Sequence, residues 1–126
     1  MVRIAVIGCG RIGRMHVANV RAHPRATLAA VYDVDARAAA EAAAAGDAPA
    51  AGSVDEILGS GAVDAVLVAS ATPTHADLIE RAVAAGKAVL CEKPIDLDLA
   101  RVERCRAVIA GATVPVQIGV NRRFDP

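Results

Sequence analysis

The chain has 126 residues, of which 55% are hydrophobic and 22% charged, and its formal net charge is zero. This composition is typical of one globular domain and excludes a disordered chain, while the balanced charge disfavours nucleic-acid binding through a basic face. No stretch approaches the roughly 18 apolar residues of a membrane-spanning helix, and the N-terminus lacks the pattern of a secretory signal, so we expect a cytoplasmic protein with no membrane partner.

The first half of the chain alternates between short apolar runs and helical patterns. Its predicted elements are a strand at 3–7, a helix at 12–23, a strand at 27–33, a helix at 35–45, a weak strand at 47–52 and a short helix from Ser53. Asp35 is the predicted N-cap of the second helix and Gly46 its stop. Ser53 and Glu56 have the spacing of a capping box.

The second half continues the alternation. Its predicted elements are strands at 63–70, 88–91 and 114–120 and helices at 74–85 and 96–110. The nearly continuous apolar run at 63–70 is typical of a strand buried on both faces. Gly86 ends the predicted helix at 74–85. Asp96 and Asp98 carry negative charge that suits the positive N-terminus of the last helix. Pro115 near the start of the last strand favours a position at the sheet edge.

Six strands alternating with helices predict an α/β fold with a parallel sheet covered on both faces. The expected architecture is a doubly wound Rossmann fold with strand order 3-2-1-4-5-6, formed by a single domain over residues 1–126. Cys9, Cys91 and Cys105 are scattered and odd in number, which indicates neither a disulfide framework nor a metal site. We expect them to be small buried side chains in a reducing compartment.

The hexapeptide GCGRIG at 8–13 has the G-x-G-x-x-G spacing of a dinucleotide-binding turn. This spacing alone is a weak signal, but here it follows a predicted strand and opens a predicted helix, which is the context it requires. Arg11 and Ile12 lie within the turn and are included among the candidate cofactor-binding residues. The alternative is a glycine-rich turn in a Rossmann-like fold that binds no nucleotide.

Each glycine of the turn has a separate predicted role. Gly8 permits the tight exit from the strand, and Gly10 lets the backbone approach a pyrophosphate without an intervening Cβ. Gly13 lies on the helix face of Val17 and Val20 and allows close packing on the sheet. The pyrophosphate would then lie against free N–H groups at the positive end of the helix.

Asp33 ends the second predicted strand, 20 residues after Gly13. At this place a carboxylate can accept hydrogen bonds from the ribose hydroxyls of NAD, whereas it would repel the 2′-phosphate of NADP. The sequence therefore predicts NAD as the cofactor. In the alternative interpretation Asp33 only ends the strand or caps the next helix, a role that Asp35 fills better.

Three further segments follow predicted strands, and their ends meet at the carboxyl edge of the sheet, where open α/β folds bind ligands. They are SATPTH at 70–75, CEKP at 91–94 and GVNRRF at 119–124. Together with GCGRIG, they resemble the glucose-fructose oxidoreductase and inositol dehydrogenase family. The stretches EKPIDLDLARV and VQIGVNRRFDP are most similar to the inositol 2-dehydrogenases of that family.

The resemblance implies that Lys93 is the catalytic lysine, which hydrogen-bonds the reacting hydroxyl beside the nicotinamide. Pro94 would keep Lys93 out of helical geometry and end the strand. Taken alone, Lys93 could be a solvated lysine at a strand end. Asn121 and Arg122 match positions that line the substrate pocket, although exposed arginines near a chain end are the alternative.

The resemblance also implies a set of residues along the cofactor. Thr72, Pro73 and His75 match the segment that follows the cofactor in such enzymes, and Ser70 and Glu92 at the strand ends are included with them. For His75, an ordinary residue at a helix start is an equal alternative. His16 and His23 are interpreted as structural.

The family's enzymes have a second domain after this region, which supplies an acid–base histidine and much of the subunit contact. Two hypotheses follow. The chain is part of an NAD-dependent dehydrogenase that oxidises a polyol or sugar, inactive alone and completed by a C-terminal domain or a homo-oligomer partner. Alternatively, it is a free-standing NAD-binding module, such as a sensor or one subunit of a split enzyme. A module that only binds NAD needs neither Lys93 nor Arg122.

Overall fold

Five parallel strands form one sheet in the computed structural model, in the order β2-β1-β3-β4-β5. The structure describes residues 1–125, with the side chain of Phe124 set aside. The strands are β1 (Val2–Ile7), β2 (Ala26–Tyr32), β3 (Ala65–Val68), β4 (Ala88–Glu92) and β5 (Val116–Gly119), and the helices are α1 (Arg11–Ala22), α2 (Ala36–Gly46), α3 (Val54–Gly59), α4 (His75–Ala84) and α5 (Leu99–Ala110). Short 3₁₀ turns cover Thr72–Thr74 and Asn121–Phe124. The doubly wound α/β prediction is confirmed, and so is the edge position of the strand that follows Pro115.

The predicted strand at 47–52 is wrong. In its place the chain makes a single parallel bridge between Ala50 and Val31, closed by Ala51 N–H donating to Val31 O and Val31 N–H donating to Pro49 O. The segment carries no β-branched residue, and Pro49 has no N–H to donate, so a longer ladder does not form. The observed order is the predicted 3-2-1-4-5-6 without its first member, and the other five strands keep their places.

Capping side chains set the helix starts as predicted. Asp35 Oδ1 accepts from Arg37 N–H at 2.9 Å, and Ser53 Oγ accepts from Glu56 N–H at 3.1 Å. The predicted capping box at Ser53 is formed only in part, because the Glu56 carboxylate accepts from the N–H of Gly52, at 2.7 Å. Gly52, rather than the cap residue Ser53, thus donates the second hydrogen bond of the capping box.

Helices α2 and α5 differ from the prediction in the residues that end or begin them. Gly46 lies inside α2, and the left-handed residue that ends this helix is Asp47, with φ of 52°. Gly46 is small for a packing reason, because a Cβ there would overlap the side chain of Leu28. The last helix begins at Leu99, later than expected, since Asp98 takes the N-cap and accepts from Ala100 N–H at 3.0 Å.

The core lies on both faces of the sheet and is built from small aliphatic side chains. On one face α1 and α2 pack Val17, Val20 and Ala42 against the sheet, and on the other α3 and α4 pack Ile57 and Ile79. The three cysteines are free and buried, as predicted. Within residues 1–125, none of the helices is long and apolar enough to cross a membrane.

An apolar groove runs beside α1 on the face that this helix shares with α2. It is lined by Ile4, Val20, Leu67 and Leu90 together with residues of the turn after α1. The groove contains none of the residues that the sequence predicts to bind cofactor or substrate. Most of the residues predicted to bind cofactor or substrate line clefts elsewhere, at the carboxyl edge of the sheet.

Candidate functional site

All five strands end at one edge of the sheet, because all of them are parallel. Two adjoining clefts open there, of about 590 Å³ and about 630 Å³. Both volumes lie within the range of small-molecule sites. The clefts share Ala69 and Ser70, at the end of β3. The edge therefore offers one extended site with two halves.

The first half, here called the glycine-loop cleft, is lined by Gly8, Gly10, Asp33, Ser70 and Pro73 among others. These residues come from the ends of β1, β2 and β3, far apart in sequence. All five were predicted to bind cofactor. The structure brings them together.

The glycines of the loop divide into two structural classes. Gly8 has φ of +98°, and a Cβ there would overlap the backbone of Ser70. A Cβ at Gly13 would overlap the carbonyl oxygen of Gly8, so Gly13 lets α1 lie directly against the turn. No described atom lies within 4 Å of a Cβ built at Gly10, which faces the open cleft. Gly8 and Gly13 thus shape the loop, and Gly10 leaves space above it.

Gly10 is also the N-cap of α1, and no side chain caps this helix end with a hydrogen bond. The first N–H groups of the helix are left to a ligand or to solvent, and the helix dipole makes the position favourable for an anion. An open backbone at Gly10 and an uncapped helix end fit a pyrophosphate. The residues present therefore suit a dinucleotide cofactor.

Asp33 has a second role that the sequence analysis missed. Its Oδ2 accepts from Cys9 N–H at 2.7 Å, and its Oδ1 accepts from Asp35 N–H at 2.8 Å. The carboxylate thereby ties the glycine loop to the end of β2. Helix α2 is capped by Asp35, so Asp33 does not serve as its cap. Each carboxylate oxygen keeps a further lone pair for a ligand.

The second half, here called the Lys93 cleft, is formed by the ends of β3, β4 and β5 with the start of α1. Its lining includes the predicted residues Ile12, Ser70, Thr72, His75, Glu92, Lys93 and Asn121. Lys93 is exposed and follows β4 directly, and its peptide bond to Pro94 is cis. The other lysine, Lys87, donates to the carbonyls of Ser60 and Val63, both at 2.7 Å, and is structural.

A pair between His16 and Glu92 joins helix α1 to strand β4 in the lining of the Lys93 cleft. His16 Nε2 lies 2.6 Å from Glu92 Oε1, and both side chains are partly buried. The contact joins the helix that carries the glycine loop to the strand that carries Lys93. Sequence reasoning left His16 as structural and did not predict the pair. The two residues are 76 positions apart, and no local pattern indicates such a contact.

Two predicted site residues occupy unexpected surroundings. His75 borders the Lys93 cleft but is only 2% exposed, with both ring nitrogens on backbone carbonyls. The side chain of Arg122 is 89% exposed, lies 4.0 Å from the Asp125 carboxylate and is not part of the cleft lining. Asn121 lines the cleft and Arg122 does not.

In the part of the chain that the structure describes, no group of three or more His, Cys, Asp or Glu side chains could hold a metal ion. The polar groups that line the two clefts include the backbone of the glycine loop, the carboxylates of Asp33 and Glu92, the hydroxyls of Ser70 and Thr72, the amide of Asn121 and the ammonium of Lys93. Such an arrangement suits a ligand with a phosphate-rich centre and polar groups at both ends.

A family model described as an oxidoreductase family with an NAD-binding Rossmann fold matches residues 2–120. The chain belongs to this family. It is the family's NAD(H)-binding domain, in agreement with the open glycine loop and the uncapped start of α1. The resemblance inferred from GCGRIG and the later strand ends is confirmed.

Individual relatives agree with this assignment. Inositol 2-dehydrogenase of Rhizobium meliloti strain 1021 is 46% identical over 125 residues, which is 99% of this chain and 38% of the relative. A solved putative myo-inositol dehydrogenase from Sinorhizobium meliloti 1021 superposes with a TM-score of 0.95 at 44% identity, covering 100% of this chain and 38% of that one. Scyllo-inositol dehydrogenase from Lactobacillus casei, solved with NAD(H) and scyllo-inositol, gives 0.91 at 34% identity, covering 99% of this chain and 38% of that one.

The chain therefore spans 38% of the length of these relatives. The matched portion is the cofactor-binding portion.

Proposed function

We propose that this chain supplies the NAD-binding half of the active site of a dehydrogenase that oxidises a CH–OH group of an inositol or a related sugar. The observation that carries the proposal is the position of Lys93. It stands at the end of β4 in a cleft that adjoins the glycine-loop cleft through Ser70. A cation beside the site for the reactive end of a dinucleotide can stabilise the negative charge that develops on an alcohol oxygen during hydride transfer.

The two clefts indicate how NAD would lie. The adenosine ribose would meet Asp33, the pyrophosphate would face Gly10 and the start of α1, and the nicotinamide would enter the Lys93 cleft. When bound, NAD supplies the hydride acceptor. The protein supplies the orientation that brings this acceptor next to Lys93.

Asp33 would select NAD over NADP. One of its oxygens is engaged with Cys9 N–H and the other with Asp35 N–H, so the carboxylate is held in place before any cofactor binds. It can accept from a ribose hydroxyl but would repel a 2′-phosphate. The side chain after it is Val34, which is 91% exposed and offers no positive charge to a phosphate.

Lys93 would donate a hydrogen bond to the oxygen of the reacting hydroxyl and stabilise the negative charge that develops as its proton leaves. Asn121 lies in the same cleft and is a candidate contact for a neighbouring hydroxyl. Arg122 would have to turn away from Asp125 to reach the substrate. We assign the acid–base group to the portion of the relatives beyond the match, so the chain alone is expected to be inactive.

The alternative is a module that binds NAD without taking part in catalysis. It explains the glycine loop and Asp33 equally well. It gives no reason for a lysine in the Lys93 cleft. Lys87, by contrast, has a structural role, because it donates to two backbone carbonyls. Lys93 therefore favours the dehydrogenase.

The cofactor part of the proposal is tested by titrating NADH and NADPH into the purified chain and following nicotinamide fluorescence or the heat of binding. We expect NADH to bind at least about tenfold more tightly than NADPH, about 1.4 kcal/mol. Equal binding of the two would contradict the role of Asp33. Circular dichroism of the same sample establishes that the chain is folded.

The catalytic part is tested with a chimera in which this chain replaces the matched region of the Rhizobium meliloti inositol 2-dehydrogenase. We expect NAD-dependent oxidation of myo-inositol by the chimera and a loss of kcat of about 100-fold or more with Lys93→Met. A chimera that stays active with Lys93→Met would remove Lys93 from the mechanism. Turnover of myo-inositol by the chain alone would show that no further acid–base group is needed.

A further inference from the structure

His75 has surroundings unlike those of any other polar side chain in residues 1–125. It is the buried polar residue of the core, 2% exposed, at the first position of α4. Its Nδ1 lies 2.7 Å from the carbonyl oxygen of Pro94, and its Nε2 lies 2.7 Å from that of Ser70. Both ring nitrogens thus face atoms that can only accept hydrogen bonds.

The ring therefore lies between two backbone segments, and each of its nitrogens contacts a carbonyl oxygen of one of them.

Both segments belong to the wall of the Lys93 cleft. Ser70 ends β3 and is shared by both clefts, while Pro94 follows Lys93 directly. Among the side-chain hydrogen bonds of the described residues, those of His75 are the ones that connect these two turns. The Ser70–Thr74 hydroxyl pair stays within the first turn.

We propose that His75 is a positioning residue, which clamps the turn at Ser70 to the turn at Lys93–Pro94 and so sets the width of the cleft that receives the nicotinamide. The inference rests on the proposed function, because it assumes that the nicotinamide enters this cleft. With both ring nitrogens engaged by backbone carbonyls, His75 acts through the backbone on either side of it.

The effect on the site is tested with His75→Phe and with His23→Phe as the matched control. Affinities are measured for NADH and for ADP-ribose, which lacks the nicotinamide. A clamp on the nicotinamide side predicts a loss of about fivefold or more for NADH with His75→Phe, and less than about twofold for ADP-ribose. The control variant is expected to change neither affinity.

Equal losses for both ligands, or no loss for NADH, would overturn the clamp in favour of a purely structural histidine. If His75→Phe does not fold, His75→Gln keeps one donor and is expected to show a smaller selective loss of NADH. A wild-type chain that binds neither ligand would contradict the proposed function, whereas a wild-type chain that binds both ligands, with no selective loss of NADH in His75→Phe, would contradict the clamp alone.

Discussion

The two halves of the carboxyl edge are built in different ways. In the glycine-loop cleft most of the contacts that hold the loop involve the backbone. Gly8 N–H donates to Tyr32 O, Cys9 N–H donates to Asp33, and Gly13 lies against Gly8. In the Lys93 cleft the lysine proposed to act on the substrate is an exposed side chain, and Asn121, which lines the same cleft, is exposed as well.

The difference separates a subsite built mainly on backbone from one that depends on an exposed side chain. The glycine loop and Asp33 belong to one continuous β-α-β unit, which under the proposed function would make the phosphate and ribose contacts. The Lys93 cleft draws on three strand ends and is the one proposed to receive the nicotinamide. Perturbing the two halves should therefore have different consequences.

The largest effect is expected from Gly13→Ala. Its Cβ would overlap the Gly8 carbonyl, a backbone atom that cannot move without shifting the whole loop. We expect the free energy of unfolding to fall by about 3 kcal/mol or more, measured by urea denaturation. Gly59→Ala is the control, since a Cβ there meets no described atom within 4 Å. An unchanged stability for Gly13→Ala would show that the loop is not packed as described.

Gly10→Ala is expected to separate binding from folding. A Cβ at this position faces the open cleft, so the urea midpoint should stay within the error of the wild-type value. The same Cβ would occupy the space above the start of α1, and we expect NADH affinity to fall by about 30-fold, about 2 kcal/mol. Normal NADH binding by this variant would place the pyrophosphate elsewhere.

Asp33→Asn should weaken the choice between the two nicotinamide cofactors. The substitution removes the negative charge that opposes a 2′-phosphate, and we expect the preference for NADH over NADPH to fall by about tenfold. One amide nitrogen would also face Cys9 N–H or Asp35 N–H, which costs about 1 kcal/mol of stability. Asp35→Asn preserves an N-cap and is expected to leave the preference unchanged, as the fluorescence titration would show.

The smallest effect is expected from treatment with thiol reagents. Their labelling of Cys9 and Cys91 compares how readily the protein interior opens near each half of the site. Burial raises the pKa of the Cys9 thiol to about 11 and that of Cys91 to about 12. At pH 8 the thiolate fraction of Cys9 is therefore on the order of 10⁻³ or less. We expect little labelling of the native chain and rapid labelling in guanidinium. Fast modification of either cysteine at pH 8 would show that its half of the sheet opens readily.

Much of the fold could be predicted because its signals are local. The apolar runs, the caps at Asp35 and Ser53 and the glycine turn act over a few residues, and each indicates its element directly. The strand at 47–52 failed because it was the member with the weakest local signal, and Pro49 limited its pairing. The start of α5 was predicted at Asp96, but Asp98 is the N-cap and the helix begins at Leu99.

The candidate site was predictable to the same extent. Gly8, Gly10 and Asp33 could be found from spacing, because one β-α-β unit fixes their relation. The partners of His16 and His75 could not, since Glu92 and Pro94 reach them only through the packing of separate strands and helices. Residues whose partners lie 19 or 76 positions away leave no periodic trace in the chain.

The sequence by itself determined the alternating α/β fold, the dinucleotide turn and the family, because these depend on short-range patterns of hydrophobicity, glycine and capping residues. Only the tertiary structure decided that the sheet has five strands, that Asp33 holds the glycine loop, and that His75 joins the two turns of the Lys93 cleft. Those outcomes depend on which hydrogen-bond donors and acceptors come within bonding distance after the sheet is assembled. These hydrogen bonds join distant segments, so no single segment of the sequence indicates them.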